Sequence, residues 1–483
     1  MTEEDRTLEL SSDELTRLIA AATERIVAHL ESLPDQPAAA TEGGAALARA
    51  LAEPLPEAGR PWPELLALLF DEVIPVSFNT AGPGYLAYIP GGGLPHTAVA
   101  DLIADATNRY VGVFAAAPGL AQIEANVVRW FCAMAGYPPE SGGVLTTGGS
   151  LSNLSALVTA RRERLPEDFL SGTIYASDQT HHSVRKAAML AGFPAGRVRE
   201  VATDGLFRIR PDELARRVSE DRRAGLRPFL VVGNAGTTNT GAVDDLDALA
   251  DLSARERLWL HVDAAYGGFF LLTERGRSRL AGIGRADSIT LDPHKGLFLP
   301  YGTGCLLVRD REALKRAHAL SADYMPSMQD DPDLVDFNLL SPELSRGWRG
   351  LRVWLPLTMH GIAPFRRNLD EKLDLAAWAA AALRRIPGIE ILAEPQLSIV
   401  AFRLTAPGRE GAPLDAWNRE LLSRINARRR VYLTGTMLRG RFAIRICVLS
   451  FRTHRDRMEA CLEDVRLAAA EMSAGAPLPA PPS

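Results

Sequence analysis

The residues with the clearest potential for chemistry form the run Asp292-Pro293-His294-Lys295-Gly296. This run follows the apolar residues 289–291, which predict a short buried strand. Lys295 therefore comes just after the carboxyl end of a strand, where open α/β sheets place their binding sites. A desolvated lysine can lose its proton, and its free amine can form a Schiff base with an aldehyde. A structural lysine in a loop is the commoner case, so the rest of the chain must decide between the two.

A carboxylate follows the preceding predicted strand. Asp263 comes directly after the apolar residues 258–262 and lies 32 residues before Lys295. A lone aspartate in this position is most often a helix cap, and no His, Asp or Glu partners stand at metal-ligand spacing. An acid and a lysine at neighbouring strand ends are also what pyridoxal phosphate needs. The lysine binds its aldehyde carbon, and the acid keeps its ring nitrogen protonated, so that the ring can accept electrons.

Three further polar clusters follow predicted strands. The glycines of Thr146-Thr147-Gly148-Gly149-Ser150 precede a helix, whose N-terminus attracts anions, although most such runs are plain turns. His181, in the run 177–183, is either a ring that stacks on a cofactor or a structural or capping residue. Thr237, in the run 234–238, could donate a hydroxyl hydrogen to a cofactor or substrate.

The elements that must position these residues alternate between helix and strand from about residue 96 to 310. Short apolar strands separated by amphipathic helices predict an α/β domain with a mainly parallel sheet. After about residue 350, a long Ala-rich helix at 369–386 and alternating strands at 398–404 and 442–448 predict a smaller α+β domain. We therefore expect a large domain at 81–349, a small C-terminal domain at 350–472 and a disordered Pro/Ala-rich tail at 473–483.

Residues 1–80 predict a helical segment without a core of its own. Ser11 and Glu14 form a potential capping box, and apolar residues then recur at helical spacing up to residue 30. We expect this apolar stripe to pack on another surface, such as a second protomer. The acidic N-terminus does not resemble a signal or transit peptide.

The bulk composition narrows the class of protein. The 483 residues are 47% hydrophobic and carry a formal net charge of −5, which gives no electrostatic reason to expect nucleic acid as a partner. No apolar run is long enough to span a membrane. The four cysteines are scattered in apolar contexts, which favours free buried thiols, no metal site and a reducing cytoplasm.

Together these motifs resemble the pyridoxal-phosphate-dependent group II decarboxylases, the family of the aromatic amino acid, glutamate and histidine decarboxylases. The resemblance extends from about Tyr85 to the end of the chain. It implies the fold-type-I architecture of pyridoxal phosphate enzymes and a homodimer whose active sites lie between protomers. The motifs that carry it are 146–153, 178–181, 236–238, 261–267 and 293–295.

The resemblance also implies roles for single residues. Lys295 binds the cofactor, Asp263 contacts its ring nitrogen and His181 stacks on its ring. Five further residues are implied to line the site. Gly149, Ser150 and His294 lie at the phosphate, Thr237 lies near the substrate carboxylate, and Ala265 packs against the ring. Asp292 occupies a phosphate-side position where aromatic decarboxylases often have asparagine, and a carboxylate there is unfavourable unless it is protonated or turned away.

Other positions are implied to serve the substrate. Tyr324, in the run 321–330, matches the loop tyrosine that protonates the substrate carbon after CO2 leaves. Arg346 and Arg349 match family positions that hold either the substrate carboxylate or the fold. Four residues match the wall of the side-chain pocket and favour an aromatic substrate, although a plain core role is equally available to them: Tyr85, Tyr88, Ile89 and Pro90. Gly296 replaces a tryptophan that commonly follows the lysine in aromatic decarboxylases.

These expectations converge on decarboxylation of an L-amino acid to its amine and CO2. A related branch would divert the reaction to an aldehyde, but its enzymes commonly replace the loop tyrosine or the stacking histidine, and both residues are present here. A decarboxylase for an acidic amino acid such as glutamate is a further alternative. A carbon–carbon lyase acting on a phosphorylated substrate would need a cationic pocket for the substrate phosphate, and the sequence shows no sign of one. A non-enzymatic descendant should have lost Lys295 or Asp263.

Overall fold

The N-terminal segment of the computed structural model consists of helices that bury little of their own surface. The structure describes residues 8–320, 331 and 333–474. The predicted capping box is confirmed, because Ser11 Oγ accepts a hydrogen bond from the backbone N–H of Glu14, and the Glu14 carboxylate accepts one from that of Ser11. The first helix has no buried residue. The helices are α1 (Ser12–Ser32), α2 (Gly44–Ala50) and α3 (Trp62–Ala67), which continues as a π-helical turn, Leu68–Val73.

A seven-stranded sheet forms the centre of the molecule. It contains the five strands predicted between residues 143 and 291, and two that were not predicted, β3 and β7. The order across the sheet is β1-β7-β6-β5-β4-β2-β3. The strands are β1 (Gly142–Thr146), β2 (Gly172–Ser177), β3 (Val198–Val201), β4 (Arg227–Asn234), β5 (Trp259–Asp263), β6 (Ser288–Leu291) and β7 (Gly304–Val308).

The strand directions bring the predicted polar clusters to one edge of this sheet. Strands β3, β2, β4, β5 and β6 pair in parallel, so their carboxyl ends lie at the same edge. Strand β7 is antiparallel to both β6 and β1. Because both neighbours oppose β7, β1 runs in the same direction as β6, and its Thr146 end reaches the same edge. The sheet is therefore mixed and mostly parallel, as expected.

Both faces of the sheet are covered, since alternate residues along one strand enter different cores. In β4, Val231 belongs to one hydrophobic cluster, whereas Leu230 and Val232 belong to the other. Such burial on both faces explains why these strands read as continuous apolar runs. The helices of this part of the chain are α4 (Thr97–Thr107), α5 (Pro118–Met134), α6 (Gly149–Arg164), α7 (Ser183–Leu190), α8 (Pro211–Arg223), α9 (Leu246–Glu256), α10 (Glu274–Arg279), α11 (Pro293–Gly296), α12 (Arg311–His318) and α13 (Arg349–His360).

The C-terminal part forms a separate sheet with its own core. Its four strands are all antiparallel, in the order β10-β11-β9-β8. Helix α13 packs on α4 and α5, so the chain enters this smaller unit after α13. The elements are α14 (Ala363–Leu383), β8 (Ile389–Ala393), β9 (Ile399–Leu404), α15 (Gly411–Ala427), β10 (Thr434–Leu438), β11 (Arg441–Cys447) and α16 (Arg455–Ser473).

The expectations for the cysteines, for membrane-spanning segments and for metal ligands can be compared with the described part of the chain. All four cysteines are free and buried, as predicted. Among the residues that the structure describes, no helix is both long and apolar enough to cross a membrane. No group of three potential metal-ligating side chains occurs within the same residues.

Candidate active site

One cavity of about 290 Å³ lies at the edge of the sheet where the parallel strands end. All nine residues expected to bind the cofactor line it, although they come from five separate parts of the sequence. They are Gly149, Ser150, His181, Thr237, Asp263, Ala265, Asp292, His294 and Lys295. A larger cavity, about 680 Å³, lies between α1 and residues 70–81 and contains none of these residues.

Lys295 faces the cavity and forms an ion pair with Asp292. The Nζ atom of Lys295 lies 2.8 Å from Oδ2 of Asp292, whose side chain is almost fully buried. Burial by itself lowers the pKa of Lys295, but the charge and hydrogen bond of Asp292, together with Asp263, outweigh it and leave the pKa raised. The other carboxylate oxygen of Asp292 is buried and has no hydrogen-bond partner among the described residues. Lys295 is therefore an ammonium group whose counter-ion lies three residues earlier.

Asp263 ends strand β5, and its carboxylate is held in place on both sides. Its Oδ1 accepts a hydrogen bond from the backbone N–H of Ala265 at 3.2 Å. Its Oδ2 accepts one from the side-chain amide of Asn153 at 3.0 Å. Asp263 is thus a fixed, buried side chain at the strand end next to that of Lys295, as the pairing of β5 with β6 requires.

Two histidines border the cavity with defined hydrogen bonds. Nδ1 of His181 accepts from the backbone N–H of Ser183, which can only donate, so this ring also contributes to the N-terminus of α7. Burial lowers the pKa of His181, although Asp263 opposes this effect. Nδ1 of His294 lies 2.6 Å from the carbonyl oxygen of Thr303 and donates to it, which leaves Nε2 3.6 Å from Asp292. Burial likewise lowers the pKa of His294.

The N-terminus of helix α6 provides a place for an anion. No side chain caps this helix, so its first backbone N–H groups remain available to a ligand. A Cβ atom added at Gly149 would lie 3.0 Å from Oδ2 of Asp292 and 3.3 Å from Cβ of Ala265, so a side chain would crowd the cavity. An anion cradle, an amine, a fixed carboxylate and a half-buried imidazole within one cavity fit the phosphate, aldehyde, ring nitrogen and ring face of pyridoxal phosphate.

Thr237 belongs to a tight turn after β4. Its hydroxyl lies 2.8 Å from that of Thr240 and accepts a hydrogen bond from the backbone N–H of Ala242. The buried guanidinium of Arg445, on strand β11, donates to the carbonyl oxygens of Thr238 at 2.6 Å and of Tyr88 at 3.0 Å. This arginine therefore connects the small domain to the Thr237 turn and to the predicted substrate wall.

None of the four residues of that wall lines the cavity of the single chain. Tyr85, Ile89 and Pro90 are buried, and Tyr85 stacks on Tyr432 with ring centroids 6.0 Å apart. Tyr88 is 55% exposed and has a left-handed backbone conformation (φ 48°). We call residues 84–91 the wall segment.

The wall segment nevertheless lies directly on the turn that carries the lysine. A Cβ atom added at Gly91 would be 2.1 Å from the carbonyl oxygen of His294, so only glycine allows this approach. Leu86 packs in the core of the small domain, whereas Ile89 packs in that of the large domain. The wall segment therefore joins both cores beside the cavity.

Other predicted residues lie elsewhere. Tyr324 is outside the residues that the structure describes. Arg346 is buried in an ion pair with Glu124, and both Arg346 and Arg349 donate to the carbonyl oxygen of Leu145 in β1. Neither arginine lines the cavity. In the described structure they therefore support the strand that leads to the anion cradle.

Sequence reasoning assigned no role to two amides that line the cavity, Asn153 and Asn234. Asn153 lies one turn into α6, four residues after Gly149, so the helical period turns it to the same face. Asn234 ends strand β4, as Asp263 ends β5, and its amide donates to the buried Asp244 at 2.9 Å. Both residues stood within the recognised motifs, but their partners come from distant parts of the chain.

Comparison with known proteins gives independent evidence for the family of this chain. The model of the pyridoxal-dependent decarboxylase conserved domain matches residues 46–405. The chain is 35% identical to an aromatic-L-amino-acid decarboxylase of Bacillus atrophaeus, over 97% of this chain and 98% of that protein.

Two solved structures are also similar. The Oryza sativa tryptophan decarboxylase with pyridoxal phosphate and tryptamine superposes with a TM-score of 0.90, at 27% identity, over 96% of this chain and 99% of that one. The Catharanthus roseus tryptophan decarboxylase with L-tryptophan also has a TM-score of 0.90, at 25% identity, over 96% and 100%. These likenesses confirm the fold-type-I architecture and the cofactor. The chain therefore belongs to the pyridoxal-dependent decarboxylases, enzymes that use pyridoxal 5′-phosphate to remove the carboxyl group of an amino acid.

Proposed function

We propose that this enzyme converts an L-amino acid with an aromatic side chain to the corresponding amine and CO2. The observation that carries the proposal is the charge of the cavity. Among the described residues that line it, the acids are Asp263 and Asp292, and the only lysine or arginine is Lys295. Because Lys295 is taken by the cofactor, an acidic substrate side chain would meet no free cation there, whereas an uncharged ring would need none.

Two further observations support an aromatic substrate. The wall segment presents the exposed ring of Tyr88 next to the turn that carries Lys295. Around it lies a group of aromatic rings, in which Tyr85 stacks on both Tyr88 and Tyr432. The proteins to which the chain is similar include aromatic-L-amino-acid and tryptophan decarboxylases.

The roles of the residues follow from their positions. Lys295 would hold the cofactor through its aldehyde carbon. Asp263 would face the ring nitrogen, and the ring of His181 would cover the ring face. When bound, the cofactor supplies an electron-accepting ring for the electrons that the departing CO2 leaves behind. We assign to Tyr324 the delivery of a proton to the substrate α-carbon, which commits the reaction to the amine.

A substrate panel tests the proposal. Purified holoenzyme is incubated with L-tryptophan, L-tyrosine, L-phenylalanine, L-histidine and L-glutamate, and CO2, amine, aldehyde and peroxide are measured together. We expect the highest kcat/KM with an aromatic amino acid, equimolar amine and CO2, and little peroxide. Lys295→Ala is the control for cofactor-dependent turnover. A preference for L-glutamate would refute the argument from charge, and aldehyde with peroxide as the main products would assign the enzyme to the oxidative branch.

We also propose that the enzyme is a homodimer with its N-terminal segment at the interface. Helix α1 buries no residue within the chain, yet it exposes Leu15, Ile26 and Val27. A second protomer would cover this apolar stripe. Light scattering should give a mass twice that of one chain, and Ile26→Glu should weaken the dimer. A monomer that is fully active would contradict this assembly.

A further inference from the structure

A continuous set of buried hydrogen bonds lies behind the carboxylate of Asp263. The indole Nε1 of Trp259 donates to Oγ of Ser288 at 2.8 Å, and this oxygen lies 2.8 Å from Nδ1 of His261. Nε2 of His261 lies 3.0 Å from Oδ1 of Asn153. Nδ2 of Asn153 donates to Oδ2 of Asp263 at 3.0 Å. All five residues are buried.

The chemistry of the donors fixes the direction of every bond in this set. A carboxylate can only accept, so the amide nitrogen of Asn153 faces Asp263 and its oxygen faces Nε2 of His261. Nε2 of His261 therefore carries a proton and donates it to Oδ1 of Asn153. Burial lowers the pKa of His261, although Asp263 opposes this effect, and Nδ1 of the neutral ring is then an acceptor. Ser288 accepts from the indole N–H of Trp259 and donates its own hydrogen to this Nδ1.

The side-chain amide of Asn153 uses both N–H donors and two acceptor positions of its oxygen, so it cannot rotate without losing hydrogen bonds. Its oxygen also accepts from Oγ1 of Thr290 at 2.8 Å. Its nitrogen also donates to Oγ of Ser183 at 2.9 Å. If the amide were flipped, its oxygen would face the carboxylate of Asp263 and its NH₂ group would face the N–H of His261, and two buried bonds would be lost.

Through Ser183 the same amide reaches the second ring contact of the cofactor. Oγ of Ser183 lies 2.8 Å from Nδ1 of His181, and it can donate its hydrogen there because it already accepts from Asn153. Nδ1 of His181 accepts a second hydrogen bond from the backbone of Ser183. A neutral His181 therefore carries its proton on Nε2. One amide thus connects the acid assigned to the ring nitrogen with the imidazole assigned to the ring face.

We propose that Asn153 is a positioning residue that fixes the carboxylate of Asp263 toward the ring nitrogen and the tautomer of His181 against the ring face, and that His261 and Ser288 hold Asn153 in this orientation. The inference rests on the proposed roles of Asp263 and His181. It adds a chain of uncharged groups that reaches through the sheet from β6 to the cavity. Each member orients the next one, and the last bond is the one that the amide nitrogen of Asn153 donates to the carboxylate of Asp263.

The test compares holoenzyme variants by cofactor affinity, by the visible circular dichroism of the bound cofactor and by kcat and KM. The visible dichroism reports a fixed orientation of the ring, which a loss of stability alone would not change. For Asn153→Leu we expect about tenfold weaker cofactor binding, which corresponds to about 1.4 kcal/mol. We also expect a visible signal reduced by about half, and kcat about tenfold lower with KM changed less than twofold.

Variants at the far end of the chain of bonds provide the same test without altering α6. His261→Phe should reproduce the effects of Asn153→Leu, and Ser288→Ala should show them more weakly. His261→Gln should restore most of the wild-type signal, because its amide nitrogen can donate to Asn153 as Nε2 does. Ser155→Ala is the matched control, since Ser155 is buried in the same helix and its hydroxyl has no partner in the described structure.

Asp263→Ala distinguishes an error in the proposed role of Asp263 from an error in the proposed role of Asn153. If Asp263→Ala leaves cofactor binding and turnover unchanged, the proposed role of Asp263 is wrong, and with it the basis of the inference. If Asp263→Ala abolishes turnover but Asn153→Leu and His261→Phe both match the wild type in visible dichroism and kcat, the positioning role of Asn153 is overturned and that of Asp263 stands.

Discussion

Asp292→Asn is expected to bind pyridoxal 5′-phosphate more tightly than the wild type. In the described structure Asp292 neutralises the Lys295 ammonium at 2.8 Å, and its second oxygen has no partner. Before Lys295 can react with the cofactor aldehyde, the ammonium must lose its proton and give up this charged hydrogen bond. The substitution removes the charge but keeps an oxygen that can accept from the lysine.

The magnitude follows from the bond that is given up. A hydrogen bond to a charged group is worth about 1.5–3 kcal/mol. A gain of this size corresponds to about 10- to 100-fold tighter binding. Removing a buried anion beside Gly149, where the phosphate is expected, acts in the same direction. The amide nitrogen would also supply a donor at the position of the unpartnered oxygen.

The assay is a titration of apoprotein with pyridoxal 5′-phosphate, followed by the absorbance of the lysine-bound cofactor at pH 7 and pH 9. The pKa of Lys295 is raised, since Asp292 and Asp263 outweigh the effect of burial. The wild type should therefore bind better at pH 9, where more of the amine is free, and the variant should depend less on pH. Asp287→Asn is a matched control, because Asp287 is half-buried, directly precedes strand β6, which leads to Asp292, and lies outside the cavity. Unchanged or weaker binding by Asp292→Asn would refute this account of the ion pair.

Three further predictions concern other parts of the molecule. Arg346→Met should lower the free energy of unfolding by about 3–5 kcal/mol, because it leaves the buried carboxylate of Glu124 without its counter-ion; the backbone N–H of Gly350 still donates to it but carries no charge. Glu124→Leu in the same chain should recover part of this loss. Urea unfolding measures both variants, and a loss below about 1 kcal/mol for Arg346→Met would contradict the prediction. Tyr324→Phe should lower the yield of amine and raise aldehyde and peroxide while cofactor binding is unchanged, and an unchanged product ratio would remove Tyr324 from the mechanism. Burial lowers the pKa of His261, so that below pH 6.5 the histidine is protonated in the unfolded chain but still neutral in the folded protein. The free energy of unfolding should therefore fall by about 1.4 kcal/mol for each pH unit below 6.5, until the folded residue is also protonated. His261→Gln should lose less stability than the wild type between pH 6.5 and 5 in unfolding experiments, and an equal loss in both proteins would exclude His261 as the cause.

Much of the cavity could be predicted because each functional residue directly follows an apolar strand. The carboxyl ends of parallel strands meet at one edge, so Asp263 and Lys295 had to lie close together once their strands were recognised. The same regularity explains the anion cradle at Gly149, since a strand that runs into a helix leaves backbone N–H groups at the turn.

The remaining features depend on contacts that no local pattern encodes. Strand β7 lies between β1 and β6 and opposes both, and nothing in the apolar run Gly304–Val308 fixes its direction. The alternation of a strand predicts that His261 and Asp263 share a face. It does not show that Asn153, on a helix more than 100 residues earlier, inserts its amide between them.

The wall segment was the least predictable part, because its aromatic pattern suits a pocket and a core equally well. Tyr85 is buried and stacked on Tyr432, which no spacing in the sequence indicates. Its neighbour Tyr88 has the opposite environment, with an exposed ring and a left-handed backbone that Arg445 holds through the carbonyl oxygen. Such a conformation is costly for a residue other than glycine and needs support of this kind.

In its proposed place beside the substrate, the anchored wall segment would also limit how substrate choice can diverge. Leu86 packs in the core of the small domain, Ile89 packs in that of the large domain, and Gly91 lies against the carbonyl oxygen of His294. A change at any of these positions disturbs packing before it can alter recognition. Within the wall segment, Tyr88 alone has an exposed side chain, and the guanidinium of Arg445 holds its backbone through the carbonyl oxygen. Selection for a new substrate along this segment can therefore act on one side chain while the frame around the cofactor stays intact.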